Sequence, residues 1–207
     1  MGQPPVPEGR SRRTAVYARE RDPQDAKALR IRADARVLGA TLLAGTTVTH
    51  EDSAGNIGRT VAGDVQVISA GTGISHSERN LGEAPLKLFQ IWLLPLQRGG
   101  TPHWDNRRFP KADRAGRLIT LASGGPQDVD ALQIRADARV LGATLLAGTT
   151  VTHPLGRFRY SYLAPAQGVI LVNGQRVVVG DGIAVVDEPK LNITAEEDAE
   201  FILVDAA

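Results

Sequence analysis

Residues 63–80 read GDVQVISAGTGISHSERN, and this stretch decides the fold of the chain. Its Gly-Asp opening predicts a turn, the run VQVIS a strand, AGTG a tight glycine corner, and HSE a second short strand. Side chains at positions i and i+2 of a strand lie on the same face, so His76 and Glu78 project together while Ser77 points away. This succession of turn, strand, corner and strand is typical of an all-β domain.

The alternation of short apolar runs and turn residues continues on both sides of this stretch. From residue 14 onward, runs rich in Val, Ile, Leu and Thr are separated by Gly, Asn, Asp and Pro. This pattern predicts many short strands in sandwiches or barrels and little helix. Asn173-Gly174 and the GDG at residues 180–182 predict hairpin turns.

The chain also repeats itself, because residues 126–153 match residues 23–50 at a constant offset of 103 positions with only three differences. A repeat at a fixed long period predicts a duplicated unit, so two equivalent modules are expected. Near-identity confined to one window also indicates a recent copying event, natural or engineered. The expected divisions are a flexible arm at residues 1–13, a first β domain at 14–95, a linker rich in Pro, Gly and charge at 96–116, and a second β domain at 117–207.

Composition limits the classes of function. A net charge of +1 and an aromatic content of 4% give no argument for nucleic acid as a partner. The chain has no cysteine, which excludes disulfides and thiolate metal sites and fits a cytoplasmic location. No stretch approaches the roughly 18 apolar residues of a membrane helix, so no membrane partner is expected.

His76 and Glu78 are the best candidates for chemistry. A neutral imidazole beside a carboxylate suits divalent iron, nickel, manganese or zinc. Taken alone, a His-x-Glu pair is more often an ordinary surface pair than a metal site. His103, beside Trp104, lies in the expected linker, where a surface contact is the preferred interpretation.

The residues around this pair resemble a known family. Residues 63–80 resemble the second conserved motif of cupins, through Gly63, Asp64, Gly71, Gly73, His76 and Asn80. The similarity is closer to the pirin family, and within it to the bacterial quercetinase-like bicupins. HEDSAGNIG at residues 50–58, LKLFQIWLLP at 86–95 and DAEFILVD at 198–205 resemble successive strands of that family. The resemblance covers about residues 48–207.

The resemblance implies a bicupin, with two β-barrel (double-stranded β-helix) domains in one chain. In this family the first barrel holds a single divalent metal, often iron, and the second usually holds none. The implied activity is that of a quercetin 2,3-dioxygenase, a metal-dependent oxidoreductase acting on a flavonol-like small molecule. His76 and Glu78 would be metal ligands, and Glu78 would also act in catalysis by accepting the substrate's hydroxyl proton.

The sequence departs from the family at the other half of the metal shell. That shell comprises three histidines and one glutamate, two of the histidines coming from a His-x-His motif. Here the four histidines are His50, His76, His103 and His153, and no two are separated by a single residue. The motif would fall near residues 31–34, inside the repeated block.

Two ligands bind a metal far more weakly than four. A four-ligand zinc site is worth about 10 to 16 kcal/mol, so losing two ligands weakens affinity by roughly four or more decades. Asp34 and His50 are possible replacements, but a turn residue and a hairpin residue are the preferred interpretations. We therefore expect an impaired dioxygenase. The alternatives are a non-catalytic bicupin with a binding or regulatory role, and an engineered or recombined duplicate.

Overall fold

The computed structural model describes residues 16–19, 37–44, 47–53, 55–80 and 87–207. These residues form strands joined by turns, with one short 3-10 helix, η1 (Lys111–Arg114). The all-β expectation is confirmed. In the first half the strands are β1 (Val16–Arg19), β2 (Val37–Ala44), β3 (Val48–Asp52), β4 (Ile57–Thr60), β5 (Asp64–Ser69), β6 (His76–Asn80), β7 (Lys87–Leu93) and β8 (His103–Arg108). In the second half they are β9 (Ile119–Ser123), β10 (Leu132–Gln133), β11 (Ala138–Leu145), β12 (Thr150–Pro154), β13 (Tyr160–Gln167), β14 (Val169–Val172), β15 (Gln175–Val178), β16 (Asp181–Val185), β17 (Lys190–Ala195) and β18 (Ala199–Ala206).

Each half of the chain forms a two-sheet barrel. The first barrel has a four-stranded sheet in the order β7-β2-β5-β8 and a three-stranded sheet in the order β4-β3-β6. The second barrel has a four-stranded sheet, β12-β17-β14-β15, and a seven-stranded sheet, β1-β16-β13-β18-β11-β9-β10. The two-barrel expectation is therefore confirmed.

Two hydrophobic clusters hold the barrels. One fills the interior of the second barrel and includes Ile170, Leu191, Ile193 and Phe201, all fully buried. The other joins the barrels, because Val65 and Val67 of β5 belong to the same cluster as residues of β9, β11 and β18. Strand β5 is thus buried on both faces: its valines face the second barrel, and Gln66 between them faces the first barrel's interior.

The repeated block occupies non-equivalent positions in the two barrels. The antiparallel pairs β2–β5, β2–β7, β3–β4 and β3–β6 of the first barrel correspond to β13–β16, β13–β18, β14–β15 and β14–β17 of the second. One copy of the block supplies β2 and the start of β3, whereas the other supplies β11 and β12. The two modules exist, and the copy in the first barrel stands where the second barrel has β13 and the start of β14, which agrees with the interpretation of a recently copied block. Strand pairing depends on the neighbours in the sheet as well as on the strand's own sequence.

The sequence-based domain boundaries differ from the structure at two strands. Strand β8 lies within the expected linker at residues 96–116 but pairs with β5 along its whole length. Strand β1 lies within the expected first domain but pairs with β16 of the second barrel. Each barrel therefore takes a strand from beyond the predicted boundary. The expected arm at residues 1–13 lies outside the described residues.

The predicted turns around the barrels are present. The glycine corner closes with a hydrogen bond from the Gly73 N–H to the Ala70 carbonyl, 2.8 Å long. Gly71 has a φ of +54° and packs so closely on the Gly100 carbonyl that a Cβ would collide with it. Asn173 and Gly174 both have positive φ and join β14 to β15. No helix among the described residues has the length and apolar character needed to cross a membrane.

Candidate metal centre

Strands β3 and β6 present four polar side chains to the interior of the first barrel. In their antiparallel pairing His50 is opposite Glu78, and Asp52 is opposite His76. Directly opposed residues share a face of the sheet, with their Cβ atoms about 5 Å apart. His50 and Asp52 are buried, while His76 and Glu78 are partly exposed. Two imidazoles and two carboxylates thus lie on one inner face.

His50 lies at the centre of this group. Its ring stacks on the His76 ring, with centroids 5.4 Å apart, and on the Trp104 ring, at 6.0 Å. Gly58 makes room for the indole, because a Cβ there would overlap the Trp104 ring. The indole N–H is buried and has no hydrogen-bond partner among the described residues. His76 therefore belongs to an aromatic cluster that extends from β6 to β8.

The two nitrogens of His50 have different surroundings. Nδ1 lies 3.3 Å from the Gln66 amide nitrogen, and the Gln66 carbonyl oxygen accepts a hydrogen bond from Thr60. With the Gln66 amide as the donor, Nδ1 is the acceptor. Nε2 is buried without a hydrogen bond in the described part of the chain, but it faces the buried Asp52 Oδ2 at 3.5 Å, within ion-pair distance.

Asp52 is fixed by its own turn. The backbone N–H of Asn56 donates to one carboxylate oxygen at 3.0 Å, and the Asn56 side-chain amide donates to the other at 2.9 Å. The Asp52 side chain is fully buried. The Asp52 N–H also donates to the Asn56 carbonyl, so the Asp52 side chain closes the turn of the β3–β4 hairpin.

The second barrel has apolar side chains at the positions that correspond to His50 and Glu78. Counted from the Gly-Asp turns at Gly63 and Gly180, these are Val172 and Ile193, which are opposed across β14 and β17. Both are buried in that barrel's core. Strand β14 ends at Val172, so Asp52 has no counterpart within it. The fold therefore does not require a polar pair at the positions of His50 and Glu78.

The structure brings the predicted ligands together with residues that the sequence analysis set aside or missed. His76 and Glu78 alternate with Ser77 on β6 and are paired with the buried Asp52 and His50, while their role as ligands stays a prediction. His50 was interpreted as a hairpin residue; it does lie in the β3–β4 hairpin, but its ring faces the same interior. Asp52 was missed, although His50-x-Asp52 repeats the His-x-acid spacing of His76-x-Glu78. That repeated spacing was the available signal.

Other predicted positions fall elsewhere. His103 is exposed, but it lies on strand β8 rather than in a linker. Asp34 and the expected position of the missing motif, residues 31–34, lie outside the described residues. His153, the copy of His50, is buried in the second barrel and bonded to Asp205 at 2.9 Å.

The donor set fits a divalent metal in chemistry, but not the arrangement of three histidines and one glutamate. Imidazole and carboxylate suit iron, nickel, manganese and zinc. In the described side-chain positions, however, no three His, Asp or Glu residues converge on one point. The role of His76 and Glu78 as metal ligands therefore stays a prediction.

Comparison with known proteins gives a consistent family assignment. A family model described as pirin matches residues 32–93, and one described as the quercetinase C-terminal cupin domain matches residues 120–206. The chain is 58% identical to a pirin-like protein of Caulobacter vibrioides over 160 residues, covering 77% of this chain and 69% of that protein. It is 56% identical to a putative quercetin 2,3-dioxygenase of Pseudomonas aeruginosa over 160 residues, again covering 77% and 69%.

A solved structure shows the same fold. The bacterial pirin YhhW of Escherichia coli, in complex with nickel(II), superposes with a TM-score of 0.75 and 28% identity. The match covers 94% of this chain and 76% of that one. Relatives of this chain are thus associated with divalent metal and with quercetin oxidation.

Proposed function

The chain belongs to the pirin family, and from this membership we propose that its first barrel is a dioxygenase site of the quercetin 2,3-dioxygenase type. His76 and Glu78 would hold a divalent metal, with iron as the first choice and nickel, manganese or zinc as alternatives. The observation that carries the proposal is the placement of His76 and Glu78 on β6 directly opposite the buried Asp52 and His50 of β3. The printed names of the relatives supply the substrate class, a flavonol or a related enolic molecule.

The chain's own residues would bind and orient such a substrate. A bound divalent ion supplies Lewis acidity toward an enolic hydroxyl. Glu78, partly exposed on the inner face, would accept the hydroxyl proton. Trp104, partly exposed on β8, offers an aromatic surface that suits a planar ring system.

We expect this activity to be impaired. Four ligands contribute about 10 to 16 kcal/mol in a structural zinc site, so two alone would lower affinity by roughly four decades. Without a His-x-His motif the chain cannot form the family's shell of three histidines and one glutamate. Turnover should therefore be slower than that of a relative with the full shell.

The absence of a His-x-His motif also favours a second candidate function. A pirin-type bicupin without metal would serve as a binding or regulatory protein. The near-identical copies at non-equivalent positions also fit a recombined or engineered duplicate. Both alternatives predict no quercetin oxidation.

Metal content and oxygen uptake test the proposal together. The protein is incubated with ferrous, nickel, manganese or zinc salt and desalted, and its metal is measured by plasma mass spectrometry. Quercetin-dependent oxygen uptake is then followed for the wild type, His76→Ala, and His103→Ala as a control on an exposed histidine. We expect both metal and oxygen uptake to fall in His76→Ala and to persist in His103→Ala.

Two results would contradict the proposal. Oxygen uptake at the rate of a full-shell relative would refute the impairment. Background metal and no oxygen uptake in the wild type would leave the non-catalytic bicupin as the function.

A further inference from the structure

The second barrel presents two adjacent loops at one of its ends. The loop at residues 155–159 joins β12 to β13, and the loop at residues 186–189 joins β16 to β17, so both cross between its two sheets. The Leu155 N–H donates to the Pro189 carbonyl at 2.9 Å, which holds the loops side by side. We propose that these two loops bind residues 4–13 of the same chain. The proposal goes beyond the proposed function and does not depend on the chemistry of the first barrel.

The first of these loops places aromatic side chains in solvent. Phe158 is 85% exposed, and Tyr160, at the start of β13, is 58% exposed. Phe158 also has a φ of +63°, a left-handed conformation that is strained for a bulky residue. Strained residues persist where the surrounding structure imposes them, and they are frequent at binding surfaces. Two neighbouring exposed aromatic side chains, one of them strained, therefore indicate a binding role.

The aromatic side chains are carried by a rigid turn. Arg159, which lies between them, donates to Asp205 at 2.5 Å and to Asp137 at 2.8 Å. The Asp205 carboxylate is buried, so the turn is fixed to the barrel itself. A surface that is held in place before binding loses little conformational freedom when a partner binds. The rings are thus presented as preorganised contacts.

The second loop adds two carboxylates. Asp187 is exposed and Glu188 is partly exposed, and no cation among the described residues lies within ion-pair distance of either. Asp187 has a φ of +58°, so each loop contains one residue other than glycine in the left-handed region. Adjacent carboxylates without counterions favour a cationic partner. The two loops together therefore suit a segment that combines apolar and basic residues.

The chain has such a segment before its first strand. Residues 4–13 read PPVPEGRSRR, with three prolines followed by three arginines. Proline-rich segments bind exposed aromatic side chains at a low entropic cost, because their extended conformation is set in advance. Arginine pairs with carboxylates through its planar guanidinium. The prolines match the aromatic loop, and the arginines match the acidic loop.

The position of β1 brings this segment to the correct end of the barrel. Val16, the first residue of β1, pairs with Ala184, and β16 then leads directly into the acidic loop. Since the two strands are antiparallel, the chain enters β1 from the side of that loop. At about 3.3 Å per residue, Arg13 can reach roughly 10 Å from Val16 and Pro7 roughly 30 Å. Residues 4–13 can therefore reach both loops while β1 stays paired with β16.

Limited proteolysis of the full chain by trypsin tests the proposal. Trypsin cleaves after arginine, so the bonds after Arg10, Arg12 and Arg13 measure how accessible the segment is. Mass spectrometry follows the products that begin at residues 11, 13 and 14. The surface variants are Phe158→Asn and a double variant, Asp187→Asn with Glu188→Gln. Asparagine tolerates the left-handed conformation, so both variants retain their turns.

Matched controls lie at the opposite end of the second barrel. Leu146, which is 69% exposed, precedes β12, and the exposed Glu197 follows β17. Leu146→Asn and Glu197→Gln remove an exposed apolar group and an exposed carboxylate, as the surface variants do. Thermal unfolding followed by circular dichroism checks that every variant is folded.

We expect slow cleavage of these bonds in the wild type and in both controls. Phe158→Asn should raise the cleavage rate by about fivefold, and the double variant by about threefold, because an aromatic anchor contributes more than exposed ion pairs do. Acceleration in either surface variant, without acceleration in the controls, supports the proposal. The wild-type rate constant should not change on dilution, since the segment and the loops belong to one chain.

Three results would overturn the proposal. Equal cleavage rates in the wild type and in both surface variants would leave residues 4–13 as a solvated tail. Equal acceleration by the control substitutions would show that protection does not depend on these loops. Protection that disappears on dilution would assign the bound segment to a second copy of the chain.

Discussion

Replacing Asp205 by asparagine should destabilise the second barrel strongly at neutral pH. The Asp205 carboxylate is buried and accepts hydrogen bonds from His153 at 2.9 Å and from Arg159 at 2.5 Å. These contacts tie β18 to β12 and to the start of β13. Asparagine keeps the shape but removes the charge, leaving the partly buried Arg159 guanidinium without its closest counterion. Removing one partner of a buried ion pair costs about 3–5 kcal/mol.

The same guanidinium provides a matched control. Arg159 also donates to Asp137 at 2.8 Å, but the Asp137 side chain is 54% exposed. An exposed ion pair contributes about 1 kcal/mol or less. Asp137→Asn should therefore change stability little, while Asp205→Asn should lower the melting temperature by roughly 6–20 °C for a chain of this size.

The effect should depend on pH in a defined direction. Burial disfavours the charged carboxylate, but the hydrogen bonds from His153 and Arg159 and the Arg159 charge outweigh it, so the pKa of Asp205 is lowered. A lowered native pKa gives stability that is present above the unfolded value of about 3.9 and is lost as pH falls through the native value. The difference between wild type and Asp205→Asn should therefore shrink as pH falls from about 4 through the native pKa of Asp205.

Thermal unfolding followed by circular dichroism at a series of pH values is the assay. Equal melting temperatures for wild type and Asp205→Asn at pH 7 would refute the ion-pair argument. A difference that grows as pH falls below about 4 would refute the direction of the pKa shift. A large loss in Asp137→Asn would show that exposure does not separate the two carboxylates.

Three further substitutions test the packing of Trp104 in the first barrel and the burial of the Arg114–Glu200 ion pair. Gly58→Ala should displace the Trp104 indole, since the new methyl would overlap the ring, and should cost about 1–3 kcal/mol with a changed tryptophan fluorescence spectrum; an unchanged spectrum would refute the contact. Glu200→Gln should cost about 3–5 kcal/mol in a urea titration, because it leaves the buried Arg114 guanidinium, 2.8 Å from Glu200, without a counterion. Lys111→Met, which removes a half-exposed partner of the same carboxylate, should cost about 1 kcal/mol or less, and equal losses in both variants would contradict the role of burial.

The sequence predicts local structure well, because turns and alternation are local properties. The strand and glycine corner of residues 63–80 and the Asn173-Gly174 hairpin are all present. The pairing of β1 with β16 and of β8 with β5 was missed, since such pairing joins residues far apart in the chain. A segment rich in Pro, Gly and charge was interpreted as a linker although six of its residues form the edge strand β8.

The sequence predicted only half of the candidate site, because strand pairing joins residues that are distant in the chain. His76 and Glu78 lie on one strand, so their common face follows from spacing alone. The contribution of His50 and Asp52 depends on the register between β3 and β6, which the spacing within either strand does not determine. The two His-x-acid pairs, His50-x-Asp52 and His76-x-Glu78, are visible in the sequence. Only the antiparallel pairing of β3 with β6 shows that they oppose each other.

The repeated block shows that a strand position and a metal site make different demands on the sequence. The same sequence forms β2, between β5 and β7, and β11, between β9 and β18. An apolar, β-branched run of this kind can enter either sheet, because what a strand position requires is compatible packing and a free hydrogen-bonding edge. A metal site instead requires specific donors at specific positions, and the block contains no His-x-His pair. Near-identity of the two copies is therefore enough to preserve strand formation in both sheets, but it provides no His-x-His pair for either barrel.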